Sequence, residues 1–233
     1  MPFNDGDFVK VDYSAWRAAD SKLVSTTIKK VAEENKELDE HARYEPQLIV
    51  IGKGIAIKGV EKAVRSMGLN ESQKVEIEAS DAFGERNSEL VKVMSLADFK
   101  KRDIDPYPGM QLDLDGMVAL VKSVNSGRVV VDANHPFAGE RMVYEIKVVA
   151  KLDKDDDKVR AIAGTYSLTP DSVSVKDGKV NVLFGKSVEK DSRYLVNKND
   201  FVGAVMRFMD GVSLVNVQEE YSREKSDEKK QAN

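Results

Sequence analysis

Residues 79–87 read ASDAFGERN, and residues 129–140 read VVVDANHPFAGE. The first is a strand-like run passing into a polar loop with a single aromatic ring, Phe83, at its turn. The second has the look of that loop returning. Between them the character of the chain resets. LVKVM (90–94) suits a strand, Ser95 is a good N-cap for the short helix LADFKKR (96–102), and DPYPGM (105–110) is a turn cluster. QLDLDGMVALVKSVNSGRVVVDA (111–133) then offers three short strands separated by Asp115-Gly116 and by Asn125 to Gly127, both hairpin signals. A chain that leaves one strand, builds strands of its own and comes back is a small fold inserted into a larger one.

Working outward, DFVKVDYSAW (7–16) alternates apolar and polar residues as a half-buried strand does, and KLVSTTI (22–28) can pair with it across RAADS (17–21). IKKVAEENKELDEHAR (28–43) is rich in helix formers but poor in apolar anchors, which leaves an exposed helix or a loop. PQLIVIG (46–52) is a short β-branched run. Val60, Ala63, Val64 and Met67 fall at i, i+3, i+4 and i+7, one apolar stripe of a helix, with Gly68 expected as its left-handed C-terminal cap. QKVEIEAS (73–80) and RMVYEIKVVAKL (141–152) are the two strands that flank the excursion and complete the first sheet.

After DKDDDK (153–158), a linker or exposed helix start, the order reads helix, hairpin, helix, strand. Asp177-Gly178 marks the hairpin, and Asn199 or Asp200 is the expected cap of a helix carrying Phe201, Val205, Phe208 and Met209 on one face. Residues 222–233 are densely charged and expected to be disordered.

Composition bounds the chemistry. The chain has 233 residues, 41% hydrophobic and 33% charged, enough apolar material for two or more modules under a solvated surface. No cysteine is present, so disulfides, thiolate metal sites and thiol nucleophiles are excluded. His41 and His135 are the only histidines, no metal or cofactor is indicated, and His135 before Pro136 reads as a turn residue. The net charge of −4, with basic and acidic residues interleaved, argues against a nucleic-acid surface. The longest apolar runs are broken by lysines and too short for a bilayer, and the N-terminus lacks a secretory pattern, so a cytoplasmic location is expected and no membrane partner.

The segments GDFVKVDY, IGKGIAIKGVEKAVRSM, DAFGER, GRVVVDANHPFAGE and MVYEIKVVA, spread over residues 7–150, resemble the long FKBP-type peptidyl-prolyl cis-trans isomerases that carry an insert in the flap. The resemblance is strongest to the archaeal-type, SlyD-like members with an extra C-terminal domain. It implies an α+β fold: a half-wrapped antiparallel sheet around one helix (1–86 and 133–152), a small mostly-β insert (87–132) and a C-terminal α+β domain (153–221).

By motif, the resemblance puts Tyr13, Ile57, Val60, Phe83 and Tyr144 in the catalytic pocket, the Ile57 N–H being its hydrogen-bond donor. Ser25, Tyr44 and Ala56 are carried over as substrate-binding positions at its rim. Two departures stand out. Ser25 occupies the place where the family usually has Asp, and Phe83 lacks the hydroxyl that a tyrosine would bring, which implies a weaker site. In the insert, Met94, Leu96, Phe99, Met110, Leu112 and Met117 are expected to offer pliable apolar surface to unfolded chains, because so small a domain leaves much surface uncovered.

The expected function is isomerisation of X-Pro bonds in unfolded or partly folded polypeptides together with chaperone action, the C-terminal domain serving a homodimer or further client contacts. Two alternatives stay open on the residues alone: a non-enzymatic holdase with a vestigial pocket, and an adaptor for one proline-containing partner.

Overall fold

The computed structural model describes residues 2–114, 116–185 and 191–221. Strand β1 (Phe8–Arg17) turns into its antiparallel partner β2 (Leu23–Thr26). Of the stretch 28–43, only Lys29–Glu34 is helical (α1), and it buries Ala32 alone. Strand β3 (Gln47–Val50) pairs with the first half of β1. Helix α2 (Lys58–Ser66) follows and strand β4 (Ser72–Ile77) closes this part.

The apolar stripe expected on α2 holds: Val60, Ala63, Val64 and Met67 are buried. The expected glycine cap does not. The helix stops at Met67, which is extended and tucked into the core at 1% exposure, and the Gly68 N–H is taken by the Glu71 carboxylate at 2.7 Å. Burying the methionine sets the exit direction, so no left-handed residue is needed.

The excursion is a second sheet. It runs β5 (Val91–Ser95), α3 (Leu96–Lys101), β6 (Gln111–Leu114), β7 (Met117–Asn125) and β8 (Arg128–Asp132), in antiparallel order β5-β8-β7-β6. Ser95 caps α3 as expected, its hydroxyl accepting the Ala97 N–H at 3.2 Å. Asp115 of the expected Asp115-Gly116 turn lies outside the described residues, as does the tail 222–233. Strand β9 (Met142–Leu152) then inserts between β1 and β4, so that the first sheet is antiparallel and five-stranded with α2 across one face. Met142, Tyr144, Ile146 and Val148 point at α2 in strict alternation, in one cluster with Val9, Val11 and Ala15 of β1. The α+β class expected from the sequence is what the chain adopts.

Helix α4 (Asp155–Thr165) begins inside the charge run, with Asp155, Asp156 and Asp157 in the first turn, where carboxylates complement unpaired N–H groups. A hairpin of β10 (Ser172–Lys176) and β11 (Lys179–Phe184) turns at Asp177-Gly178, as expected. Helix α5 (Ser192–Phe208) leads to β12 (Leu214–Glu219), parallel to β11. The cap expected at Asn199 or Asp200 is corrected: the helix starts two turns earlier, at Asp191, whose carboxylate accepts the Tyr194 N–H at 2.7 Å. Burial of Tyr194, edge-on to Phe184 at 5.6 Å, anchors the early turns and leaves Asn199 and Asp200 exposed in mid-helix.

The third sheet does not stand apart from the first. Phe8, Leu48 and Val50, on the face of β1 and β3 away from α2, share one buried cluster with Val159, Ile162 and Ala163 of α4. The run LIVI is continuously apolar because this corner of the sheet is covered on both sides, Ile49 and Ile51 facing α2.

At the end of β12 the Glu219 carboxylate accepts from Lys198 at 2.5 Å, Tyr221 at 2.6 Å and Tyr194 at 2.8 Å. The Lys198 bond first, with the tyrosine hydroxyls adding to it, pushes its pKa down to about 2. A carboxyl lowered on folding stabilises the protein above its unfolded value, 4.5, and that contribution is lost as pH falls toward 2. Glu219→Gln is expected to cost about 1–2 kcal/mol at neutral pH, discounted for solvent screening. Denaturant unfolding at pH 7 and pH 3 measures it, the difference between parent and variant shrinking at the lower pH.

Candidate functional site

Helix α2 approaches β4 closely only because residue 59 is glycine: a Cβ there would sit 2.3 Å from Cγ2 of Ile77. This close approach seats the N-terminal turn of α2 on the sheet and brings Val60, 5% exposed, into the core beneath the open end of the sheet. Around that end Tyr13, Ala56, Ile57 and Phe83 pack against the same core while remaining partly exposed. Ile57 is the N-cap of α2, and its N–H has no partner among the described residues, as befits the start of a helix. Five of the expected positions, Tyr13, Ile57, Val60, Phe83 and Tyr144, thus converge on one apolar cluster with an unpaired N–H at its edge.

The Tyr13 and Tyr144 rings are tilted by 37° with centroids 5.8 Å apart. Tyr144 is 8% exposed, and burial, reinforced by Tyr13, pushes its pKa up to about 12, so it is a neutral hydroxyl at any physiological pH. Ser25 meets the site through a 3.0 Å hydrogen bond with the Tyr13 hydroxyl. Tyr44 is not joined to this group: its hydroxyl accepts the Asp39 N–H at 3.0 Å within its own loop.

Two site residues escaped the sequence reading. The Phe83 ring lies flat on His135, centroids 4.4 Å apart and planes 4° from parallel, and Phe137 completes a three-ring cluster at 5.6 Å from Phe83. His135 does hold a turn, its Nδ1 accepting the Phe137 N–H at 3.2 Å, and it also backs the ring at the mouth of the site. The signal was the pairing of DAFG with HPF, one on each side of the excursion.

Below these rings a neck ties the two arms of the excursion. The Gly84 carbonyl accepts the Gly139 N–H at 2.8 Å, Gly84 itself having φ +82°. The Asn134 side chain accepts from the Asn87 N–H at 2.8 Å and donates to its carbonyl at 2.9 Å. Asp132, 5% exposed, pairs with Arg86 and accepts from Asn134; burial would raise its pKa, but these partners hold it below the usual value.

In the insert, Phe99 and Leu112 are buried with Ala119, Val121, Val129 and Val131, because α3 folds back across the sheet. Met94, Leu96 and Met110 are half-covered against that core, and Met117 is exposed near Val118. An open cleft of about 300 Å³ lies between α3 and β6, with Met94, Phe99, Ile104, Leu112 and Leu114 as its apolar lining. Among the described residues, no cluster of three His, Asp or Glu side chains is placed to hold a metal ion, and no helix is long and apolar enough to cross a membrane.

A family model described as FKBP-type peptidyl-prolyl cis-trans isomerase matches residues 2–100, and one described as FKBP26, IF domain, matches residues 92–137. The chain is similar to a short-type peptidyl-prolyl cis-trans isomerase of Methanocaldococcus jannaschii, 35% identical over 143 residues, covering 61% of this chain and 90% of that one. It is also similar to SlyD, an FKBP-type isomerase, of Helicobacter pylori (26% identical, 53% of this chain and 69% of the relative) and of Escherichia coli (25% identical, 61% and 74%).

Proposed function

Because the chain belongs to the FKBP-type peptidyl-prolyl cis-trans isomerases and carries their insert-in-flap domain, we propose that it isomerises X-Pro bonds at the open end of its first core while the insert holds the client chain. What carries this reading is the convergence of Tyr13, Val60, Phe83 and Tyr144 on one apolar cluster with the free N–H of Ile57.

The reaction needs neither nucleophile nor acid-base pair. An X-Pro amide must twist out of resonance over a barrier of about 18–20 kcal/mol, which unaided takes tens to hundreds of seconds. The twisted amide is less dipolar than the planar one, so an apolar, water-poor cavity favours it relative to solvent. The Ile57 N–H holds the carbonyl beside the rotating bond. A thousandfold acceleration requires only about 4 kcal/mol of such differential stabilisation. Val60 serves as the floor under the proline ring, Tyr13, Phe83 and Tyr144 as walls, and Ser25 and Ala56 as rim.

Residues 87–132 act as the client-binding module, through the α3–β6 cleft and the exposed Met117, Val118 and Val93. Residues 153–221 offer a second copy of the chain the edge of β12, unpaired among the described residues, and the exposed Leu195, Val196, Met206 and Leu214. The protein works on cytoplasmic chains with exposed prolines. Exchange NMR on a short X-Pro peptide tests the catalytic part: line broadening between cis and trans signals is expected at micromolar protein, and unchanged exchange would overturn it.

A further inference from the structure

Opposite the flap lies a groove of about 890 Å³. It begins at Tyr13 and Ser25, the rim of the candidate site, and runs past Gln47 and Leu48 to α4 and the loop after it, where Ala161, Thr165, Ser167 and Thr169 form the far wall. We propose that this groove is a subsite for the extended client chain on one side of the prolyl bond, so that the C-terminal domain takes part in choosing the substrate. The proposal rests on the isomerase reading and deepens it.

Three observations carry it. The first is exit direction. A proline held at the site belongs to a polypeptide whose chain must leave on both sides. The β4 side is occupied by the Phe83, His135 and Phe137 rings and the neck beneath them, whereas β2, at the other edge of the sheet, opens at Ser25 into the groove.

The second is rigidity. The far wall is fixed relative to the site, because Val159, Ile162 and Ala163 share a buried cluster with Phe8, Leu48 and Val50 of the first sheet. The loop after α4 is pinned by the Arg160 guanidinium, which donates to the Pro170 carbonyl at 3.0 Å, and by the Leu168 N–H on the Ala163 carbonyl. A wall held this way loses little freedom when a chain lies on it.

The third is the chemistry of the lining. Apolar Leu48, Leu152 and Leu168 line it together with hydroxyls and an amide, a surface that suits a main chain with its own donors and acceptors. Lys10, Arg43, Glu45 and Asp157 also line it, and none has an ion-pair partner among the described residues, so charged client side chains of either sign meet a counter-charge. A small ligand would call for polar groups converging on one point; these are strung along a trough.

The test compares KM for a short X-Pro peptide with KM for the same peptide extended on its N-terminal or its C-terminal side. In the parent chain one of the two extensions is expected to lower KM by about fivefold, the worth of one or two added hydrogen bonds. Thr165→Trp, which fills the groove from its exposed far wall, and Arg43→Ala are each expected to remove most of that gain with kcat kept, while Thr165→Ser retains it. No gain from either extension, or a gain that both variants leave intact, overturns the proposal. If the short peptide itself is not turned over by the parent chain, the isomerase reading fails instead, and the groove is then judged by whether the extended peptide shifts the Thr165 and Ser167 amide signals.

Discussion

Replacing residues 88–131 by a short flexible link is expected to leave turnover of a short proline peptide near its parent value and to cut acceleration of a proline-limited refolding protein by about a hundredfold. The geometry allows the excision. Gly84 and Gly139 are joined by a backbone hydrogen bond, the Asn134 side chain grips both backbone groups of Asn87, and Arg86 and Asp132 remain in place, so the arms of the neck stay together without the sheet above them. The two hydrophobic clusters have no residue in common: Phe99, Leu112, Val121, Val129 and Val131 are buried among themselves, and the first core is closed by β1, β9 and α2. On the proposed reading, removing the insert therefore takes away only the tether. A tethered client presents its prolines at millimolar effective concentration, and this advantage is what a free short peptide never had. An equal loss on peptide and protein would make the insert part of the pocket, and no loss on the protein would remove its client-binding role.

Phe83→Ala is expected to lower kcat/KM for a short X-Pro peptide by about ten- to hundredfold, the range set by the 1.5–3 kcal/mol that an apolar side chain contributes when its contact surface is removed from water. Stability should move by less than about 1 kcal/mol, because the ring is only partly buried, packing on the edge of the first core and on His135 and Phe137. The comparison separates a wall of the pocket from a structural aromatic: the latter would lose stability and keep kcat/KM. Phe83→Tyr is expected to raise kcat/KM by about fivefold, one hydrogen bond's worth, if the new hydroxyl reaches the substrate carbonyl. Enzyme kinetics and denaturant unfolding on the same three proteins give both readouts.

Much of this was legible in the order of residues. The alternation in β1 and β9 and the stripe Val60, Ala63, Val64 and Met67 are local patterns whose periods of two and of 3.6 follow from backbone geometry, and the turns at Asn125 to Gly127 and at Asp177-Gly178 are equally local. The Gly68 cap and the start of α5 were misjudged at the ends of elements, where burial of one side chain, Met67 or Tyr194, outweighs a local capping preference.

The sequence by itself determined the elements, their order and the insertion, because each is written in contiguous residues. Only the tertiary structure decided that Phe83 leans on His135 from the far arm of the excursion, that Ser25 hydrogen-bonds Tyr13, and that Phe8, Leu48 and Val50 are covered by α4. An apolar or hydroxyl side chain carries no mark of which distant partner will bury or bond it. That choice is made by close packing of whole elements, and it turns three separate stretches of this chain into one candidate site with a groove running away from it.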